Sequence, residues 1–493
     1  MLRTLLVMVA AALCLNVQAQ TAVQKLPTNT TKATKANIKP QGLTNKVKVV
    51  SGNESAQANA NVHPAPAAAT NSSSQRSVGT VIGTTYYDLQ SNYGMGRRVW
   101  NDNGTIHAVW TRSNANDAAW ADRGTGLNTS TDGGASWGPA PTSRIEGTER
   151  CGWPTIGITA SGRKFVTTHT GAKGLLFTYQ DAGSTTWTKK YVGEEQGDLT
   201  GVWNRATVSG NNIHVIISRQ DEFDGMVGGL AYFHSADGGD TWTGPTVIAD
   251  AAGDPLIGRH TPSVNADAYF IESKGDHVVF VTGEYSRQVV MYESMDNGAT
   301  WTDRVIKNTS NPLFPDAPTD EDDLDPVAVS GGGQTIIIDA NDVVHVWYDR
   351  VFNYDDAGDA QVGPFYLPNS SCLMYWNSNM TTDPIVLGKT VRQDLNQDGT
   401  TALDTQVDET QSYGVSIVSQ PSGGIDAQGN LYVAYSSAND GEIQANRQET
   451  ESQRIYRDIY MIKSTDGGAT WVGPYNVTNT PTKEEVYPSI EIG

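Results

Sequence analysis

Cysteine is scarce in this sequence, with three in 493 residues. Cys14 lies in an apolar leader, which leaves Cys151 and Cys372. So few cysteines exclude a disulfide-rich scaffold. The two could oxidise together, but the strand assignment below puts them on different sheets, which favours two separate, half-buried thiols.

Long apolar runs are also lacking after the first nineteen residues, so no membrane-spanning segment is expected. Residues 1–19 combine Arg3, an apolar run from Leu5 to Leu15 and a small-residue cleavage site ending at Ala19. This pattern predicts an export signal and a secreted protein, whether periplasmic, cell-surface or extracellular. A lipoprotein signal at Cys14 is the less favoured alternative, because Leu13 precedes it where a small residue is expected.

Positive charge is lacking over most of the chain. The net charge is −20, yet residues 1–76 carry eight Lys or Arg against one acid, Glu54, so the remainder holds −27. An acidic body of this kind disfavours nucleic acid and anionic membranes as partners. Residues 20–77 are low in aromatic residues and have no apolar period, which predicts a disordered linker before a domain at 78–493.

A short motif recurs four times: Ser, any residue, Asp, any residue, Gly, and Trp at the eighth position. We call its copies the Ser-Asp turns: Ser130–Trp137, Ser235–Trp242, Ser294–Trp301 and Ser464–Trp471. Three of them directly follow short alternating apolar runs, so each turn leaves a β-strand. The carboxylates of Asp132, Asp237, Asp296 and Asp466 are predicted to cap the backbone of their own turns, and Trp to pack against a neighbouring hairpin.

This motif resembles the Asp-box of the repeats in bacterial neuraminidases, which occur in sialidase-like β-propellers. The resemblance implies an all-β, six-bladed propeller whose Asp-boxes lie on outer hairpins, away from the ligand; seven blades is the alternative. The spacing of the units agrees with four-stranded blades. Val78–Tyr87 reads as a strand, Pro262–Val264 as the inner strand of the fourth unit, and Val486–Ile490 as an inner strand that closes the ring beside Val78–Tyr87 and the first blade.

A propeller's ligand site is expected where the inner strands begin, opposite the Ser-Asp turns. Arg98, Arg150, Arg205 and Arg259 fall at the predicted starts of four successive inner strands. Guanidinium groups directed into one funnel would bind a carboxylate. The alternative is that each pairs with a nearby acid on a solvated rim.

The resemblance to sialidases implies further roles. Three of the arginines would hold the substrate carboxylate, Asp117 or Asp122 would handle the proton, and Tyr413 would be the nucleophile, with Glu409 or Glu284 as its base. The pattern is incomplete, because Trp100 replaces the Pro of the family's Arg-Ile-Pro motif and Asp325 stands where the fifth blade should offer an Arg.

The segment containing Asp394, Asn396 and Asp398 places oxygen ligands at alternate positions before Gly399, a pattern that Ca²⁺ uses. Thr405 occupies the position of the usual final acid, so the expectation is a structural Ca²⁺ rather than a required cofactor. The acidic run at 316–325 would hold a second ion or remain a hydrated loop.

The sequence therefore predicts a secreted, carbohydrate-directed protein that binds a glycan or glycoconjugate as a monomer. It leans towards an exo-glycosidase that releases an acidic sugar. The alternative is a non-catalytic propeller that binds glycan or protein at the cell surface.

Overall fold

The computed structural model describes most of the chain from residue 79 onward. The described residues are 79–115, 120–170, 173–193, 201–261, 263–264, 266–284, 288–309, 327–354, 365–389, 416–443, 455–480 and 483–491. Among them lie 25 β-strands and one 3-10 turn at Ile257–Arg259. No helix in these ranges has the length and apolarity needed to cross a membrane.

The strands form six antiparallel blades, numbered here in chain order, so the predicted six-bladed all-β propeller is confirmed. Blade 1 contains β1 Val99–Asp102, β2 Thr105–Arg112 and β3 Gly124–Ser130; blade 2 contains β4 Gly152–Ile158, β5 Lys164–His169, β6 Leu175–Gln180 and β7 Thr188–Val192. Blade 3 contains β8 Gly201–Ser209, β9 Asn212–Arg219, β12 Leu230–Ser235 and β13 Thr243–Thr246, with a small hairpin of β10 Glu222–Phe223 and β11 Met226–Val227 inserted.

The remaining three blades repeat the four-stranded order. Blade 4 contains β14 Tyr269–Lys274, β15 His277–Thr282, β16 Val289–Ser294 and β17 Thr302–Lys307; blade 5 contains β18 Val327–Ile338, β19 Val344–Tyr354, β20 Phe365–Asn377 and β21 Ile385–Lys389. Blade 6 contains β22 Val418–Ile425, β23 Leu431–Ile443, β24 Ile455–Ser464 and β25 Val472–Asn476. We call the end of the ring where inner strands begin the front face, and the end carrying the Ser-Asp turns the back face.

Hydrophobic clusters fill five junctions between successive blades. In blade 6, for example, Val433 and Ile462 face Trp347 and Tyr375 of blade 5. Both faces of a blade are covered in this way, which explains why its strands carry apolar side chains on both sides.

The Ser-Asp turns have the geometry expected of the motif. In the fourth copy, Ser464 Oγ donates to Asp466 at 2.8 Å and accepts from the Gly468 N–H at 2.9 Å, while the Thr470 N–H donates to Asp466 at 2.8 Å. The Trp471 indole donates to Gly468 O at 3.0 Å and packs edge-on against Tyr375 of the preceding blade. Trp242 and Trp301 pack edge-on against Phe177 and Tyr232 of their preceding blades in the same way, so these three turns each fasten two blades together.

The sixth junction, between blades 6 and 1, is occupied by the C-terminal segment 483–491. The Ile490 N–H donates to Ser422 Oγ in blade 6 at 2.9 Å, and Ser489 Oγ accepts from the Arg98 N–H beside blade 1 at 3.2 Å. The segment therefore lies between these two blades, but it forms no strand, so the expectation of an inner strand at Val486–Ile490 is wrong.

The expectation of a strand at Val78–Tyr87 is wrong for its described part, because residues 79–87 form no strand. This segment instead lies on one face of blade 1, where Asn128 donates to Ile82 O at 2.7 Å and Trp110 donates to Thr84 O. A Cβ on Gly83 would lie 2.0 Å from the Trp110 ring, so only glycine permits this approach.

The centre of the ring is filled by residues 90–96, which we call the plug. Its Ser91, Tyr93, Gly94 and Met95 are buried. A Cβ on Gly94 would lie 3.1 Å from the backbone oxygen of Gln334 in blade 5, so the plug sits directly against the inner strands. The plug closes the channel beneath the front face.

Cys151 and Cys372 lie in different blades, Cys151 at the start of blade 2 and Cys372 in blade 5, and neither forms a disulfide. Both are fully buried rather than half-buried, with at most 1% exposure.

Candidate functional site

A cluster of arginines lies on the front half of blades 1 to 3, around His169 at the end of β5. Four guanidinium groups act on this imidazole: Arg98, Arg123, Arg150 and Arg205. Burial is the main cause that places the pKa of His169 well below its usual value, and the four positive charges add to the effect. His169 is therefore neutral in the folded protein.

The hydrogen bonds of His169 fix its tautomer. Its Nδ1 accepts from the Trp203 N–H at 2.9 Å, so the ring proton resides on Nε2. Nε2 is buried and has no hydrogen-bond partner within the described ranges. A buried donor without an acceptor is costly to the folded state.

Irregular backbone builds the floor of this cluster. Trp153 in β4 and Trp203 in β8 have left-handed φ values of 55° and 58°, each at a point where the register with the second strand shifts. Such bulges redirect side chains at the rim of a sheet. Trp153 is fully buried, and its ring centre lies 5.1 Å from that of His169.

Arg123, at the start of β3, holds the cluster together. Its Nε donates to Cys151 O at 3.2 Å, its Nη1 donates to the Tyr87 hydroxyl at 3.1 Å, and its guanidinium lies over the rings of both Tyr87 and Trp153. Because Arg123 is 1% exposed, it contributes charge and rigidity rather than a surface contact.

Trp120 and Arg150 form the more accessible part of the site. Both are half-buried, and Arg150 Nε donates to Trp120 O at 3.0 Å. The Trp120 ring meets Tyr87 edge-on at 5.4 Å. A half-exposed indole beside a guanidinium can bind one ligand in two ways: the indole ring packs against its apolar part, and the guanidinium donates charged hydrogen bonds to its anionic part.

Arg98 and Arg205 lie deeper, where they hold the plug. Arg98 donates to Gln90 O at 2.7 Å and to Pro154 O, and burial together with the nearby Arg205 lowers its pKa to about 9. Arg205 pairs with Asp267 at 2.7 Å and donates to Gly94 O. At 4% and 1% exposure, these two arginines are engaged inside the protein.

Arg259 is separate from the other three predicted arginines. The inner strand of blade 4 begins at Tyr269 rather than at Pro262–Val264, so Arg259 precedes it by ten residues, on the 3-10 turn. There its exposed guanidinium pairs with Asp250 at 2.7 Å and with Asp303 at 3.4 Å. The expectation of one funnel with four arginines is therefore corrected, and Arg259 takes the solvated rim pairing that was the alternative.

Asp122 anchors the loop between β2 and β3. Its carboxylate accepts hydrogen bonds from Ser113 Oγ and from the N–H groups of Asn114 and Ala115. Burial opposes ionisation, but these bonds together lower the pKa of Asp122. The Asp122 carboxylate is therefore ionised near neutral pH. In this state it can accept hydrogen bonds but has no proton to donate to a substrate.

Several predicted site residues fall outside the described ranges. They are Asp117, Tyr413, Glu409 and the calcium segment with Asp394, Asn396 and Asp398. The described residues contain no group of three or more His, Cys, Asp or Glu placed to hold a metal ion. Glu284 lies within the described ranges, where it lines a small cleft in blade 4 beside His260 and Gln288.

Sequence reasoning missed Arg123, Trp153, His169 and Asp267, which complete the cluster. Trp153 could have been found, because it opens an inner strand in the same repeated position as Trp203. His169 carries a weaker signal as a polar residue ending a second strand. Asp267 carries none, because its partners lie 62 and 114 residues away.

Comparisons with known proteins identify no family. No family model matches the chain, and no curated protein matches it in sequence. Among solved structures, a protein of unknown function from Dyadobacter fermentans is 14% identical with a TM-score of 0.41, over 78% of this chain and 98% of that one.

Two further solved structures are similarly distant. An ulvan lyase of polysaccharide lyase family PL25 is 13% identical with a TM-score of 0.40, over 78% of this chain and 84% of the lyase. A Trypanosoma rangeli sialidase is 13% identical with a TM-score of 0.37, over 76% of this chain and 55% of the sialidase. Likenesses this distant do not bear on activity, so the site must be judged from its own residues.

Proposed function

We propose that this protein is a secreted, carbohydrate-directed β-propeller that binds an acidic sugar on the front face of blades 1 to 3. The observation that carries the proposal is the concentration of arginines at the front of blades 1 to 3 in a chain of net charge −20. Arg123 lies over the Trp153 ring beside His169, Arg205 pairs with Asp267, and Arg98 and Arg150 donate to the neighbouring backbone. Asp267 offsets one of these charges. The remaining positive potential favours an anionic ligand at this point of an otherwise acidic surface.

The chemistry of the site suits a sugar acid. Arg150 would take the carboxylate, and the half-exposed ring of Trp120 would pack against the apolar face of the sugar. Arg98 and Arg205 would act through their charge, because the plug covers them. The export signal predicted at 1–19 and the linker predicted at 20–77 support action outside the cell.

The test compares binding of galacturonate, glucuronate and N-acetylneuraminate by isothermal titration calorimetry. Arg150→Ala should weaken binding of the preferred acid at least tenfold, since a charged hydrogen bond contributes about 1.5–3 kcal/mol. Arg259→Ala is the matched control and should bind normally. Absence of binding to all three acids, or equal losses in both variants, would refute the proposal.

Exo-glycosidase activity is the second candidate, favoured by the first-blade order of Arg98, strand, acid-bearing loop and Ser-Asp turn. It assigns Tyr413 as the nucleophile, Glu409 or Glu284 as its base and Asp117 as the proton donor. A fluorogenic sialoside assay would decide, with Tyr413→Phe as the inactive variant. If the pure wild-type protein gives no turnover, the propeller is a binding protein.

A further inference from the structure

The basic character of the site continues beyond the arginine cluster, outward along blade 2. Arg144 Nη1 donates to Arg123 O at 2.9 Å and to Glu149 O at 3.2 Å. The Glu149 carboxylate lies 3.5 Å from Lys173 Nζ and 3.8 Å from Lys189 Nζ. An unbroken series of contacts therefore links the centre of the front face to its rim.

The two lysines at the rim remain accessible while they are positioned. The Lys173 side chain is 48% exposed and that of Lys189 is 38% exposed. Lys173 donates to the Tyr191 hydroxyl at 3.0 Å and lies over its ring at 4.6 Å, and Lys189 donates to Glu146 O at 3.1 Å. The single carboxylate of Glu149 interacts with both ammonium groups, so the two lysines and Glu149 together keep a net positive charge.

The charge of this region is opposite to that of the whole protein. Among the described residues at the front of blades 1 and 2, seven cations stand against four carboxylates. The cations are Arg98, Arg112, Arg123, Arg144, Arg150, Lys173 and Lys189, and the acids are Asp88, Asp122, Glu146 and Glu149. Across the ring, the front of blade 5 carries Asp349, whose pKa burial raises to about 7.

The position of the lysines limits what the basic region can bind. Both ammonium groups lie within 4 Å of the carboxylate of Glu149, the residue that directly precedes Arg150. A sugar acid whose single carboxylate is held by Arg150 has no second anionic group for the lysines. Only a ligand with several acidic units could contact Arg150 and the lysines together.

We propose that the natural ligand is a linear acidic polysaccharide, which binds with one acidic unit at Arg150 and continues outward across blade 2 to Lys173 and Lys189. This inference rests on the proposed function, since it extends the same site. The carboxylates or sulfates of successive sugar units would lie against the basic residues, and each contact would release a counterion.

The experiment measures the affinity of galacturonate and of hexagalacturonate at several salt concentrations. The hexamer should bind at least tenfold more tightly than the monomer, with a steeper dependence on salt. In the double variant Lys173→Gln/Lys189→Gln, hexamer affinity should fall by roughly 3- to 25-fold and the salt slope by about 1 per lysine, while monomer affinity stays unchanged.

The matched control is Lys307→Gln, which removes an outer-strand lysine of blade 4 that pairs with Asp383. It should bind both ligands as the wild type does. Equal affinity for monomer and hexamer, or a double variant without effect, would overturn the extended site and leave the acidic-sugar site standing. Failure of both ligands to bind would overturn both, and equal binding of a hexamer of thymidylate would show a general polyanion surface instead of a polysaccharide site.

Discussion

Arg205 donates a 2.7 Å hydrogen bond to Asp267, and both side chains are at most 1% exposed. The Asp267 carboxylate also accepts from Ser91 Oγ at 2.7 Å, from the Tyr93 N–H at 3.0 Å and from the Trp153 indole at 2.8 Å. One carboxylate therefore joins blades 2, 3 and 4 to the plug. The floor of the candidate site depends on this pair.

Removing Asp267 should destabilise the protein strongly. In Asp267→Ala the Arg205 guanidinium stays buried without its counter-charge, which typically costs about 3–5 kcal/mol. Urea unfolding followed by tryptophan fluorescence measures the loss in the free energy of unfolding. Asp250→Ala, which removes a partner of the exposed Arg259, should have a much smaller effect; comparable losses would contradict the role of the central pair.

The glycines of the Ser-Asp turns differ in what a substitution would meet. A Cβ on Gly468 would lie 1.9 Å from the Tyr375 hydroxyl, whereas one on Gly467 meets nothing within 4 Å, although both have positive φ. Gly468→Ala should therefore cost about 1–3 kcal/mol more than Gly467→Ala, because only the former forces two blades apart. Thermal unfolding of the two variants provides the measurement, and equal melting temperatures would refute the argument.

His214 should make stability depend on pH. Its Nδ1 lies 2.6 Å from the Tyr232 hydroxyl, and burial, with a smaller effect of His234, lowers the pKa of His214 to about 3. Since the folded-state pKa is below the unfolded value near 6.5, stability is complete above pH 6.5 and declines as the pH falls towards 3, by up to about 1.4 kcal/mol per pH unit.

The measurement for His214 is the free energy of unfolding in urea at pH 7.5, 5.5 and 4.5. His214→Gln should be less stable than the wild type at pH 7.5 and should lose less stability on acidification. If both proteins show the same pH slope, protonation of His214 is not the cause.

Calcium should stabilise the protein if the segment of Asp394, Asn396 and Asp398 binds it. We expect addition of EDTA to lower the melting temperature of the wild type and to leave Asp398→Ala unchanged, because binding to the folded state alone adds to stability. Excess Ca²⁺ should restore the wild-type value. A chelator effect of equal size in both proteins would place the ion elsewhere.

The fold was largely predictable because its signals are local. The turn from Ser464 to Trp471 satisfies its own backbone within eight residues, so the pattern alone identifies it. The segment 79–87 was mispredicted because alternating residues indicate a strand wherever they occur, whereas Gly83 packs flat on Trp110. Pro262–Val264 was mispredicted for a similar reason, since a short apolar run does not reveal which of two neighbouring segments pairs with β15.

The amino-acid sequence by itself indicated repeated sheets, through its recurring turns, alternating strands and turn tryptophans, and its resemblance to Asp-box repeats implied the propeller. It also placed arginines near the starts of inner strands, although Arg205 lies inside β8. Only the tertiary structure decided which of them lie together, because Arg98, Arg123, Arg150 and Arg205 are close enough to His169 for their charges to lower its pKa, while Arg259 pairs with Asp250. Contacts within a turn are encoded by neighbours in the chain, but a site shared by three blades depends on how the ring closes.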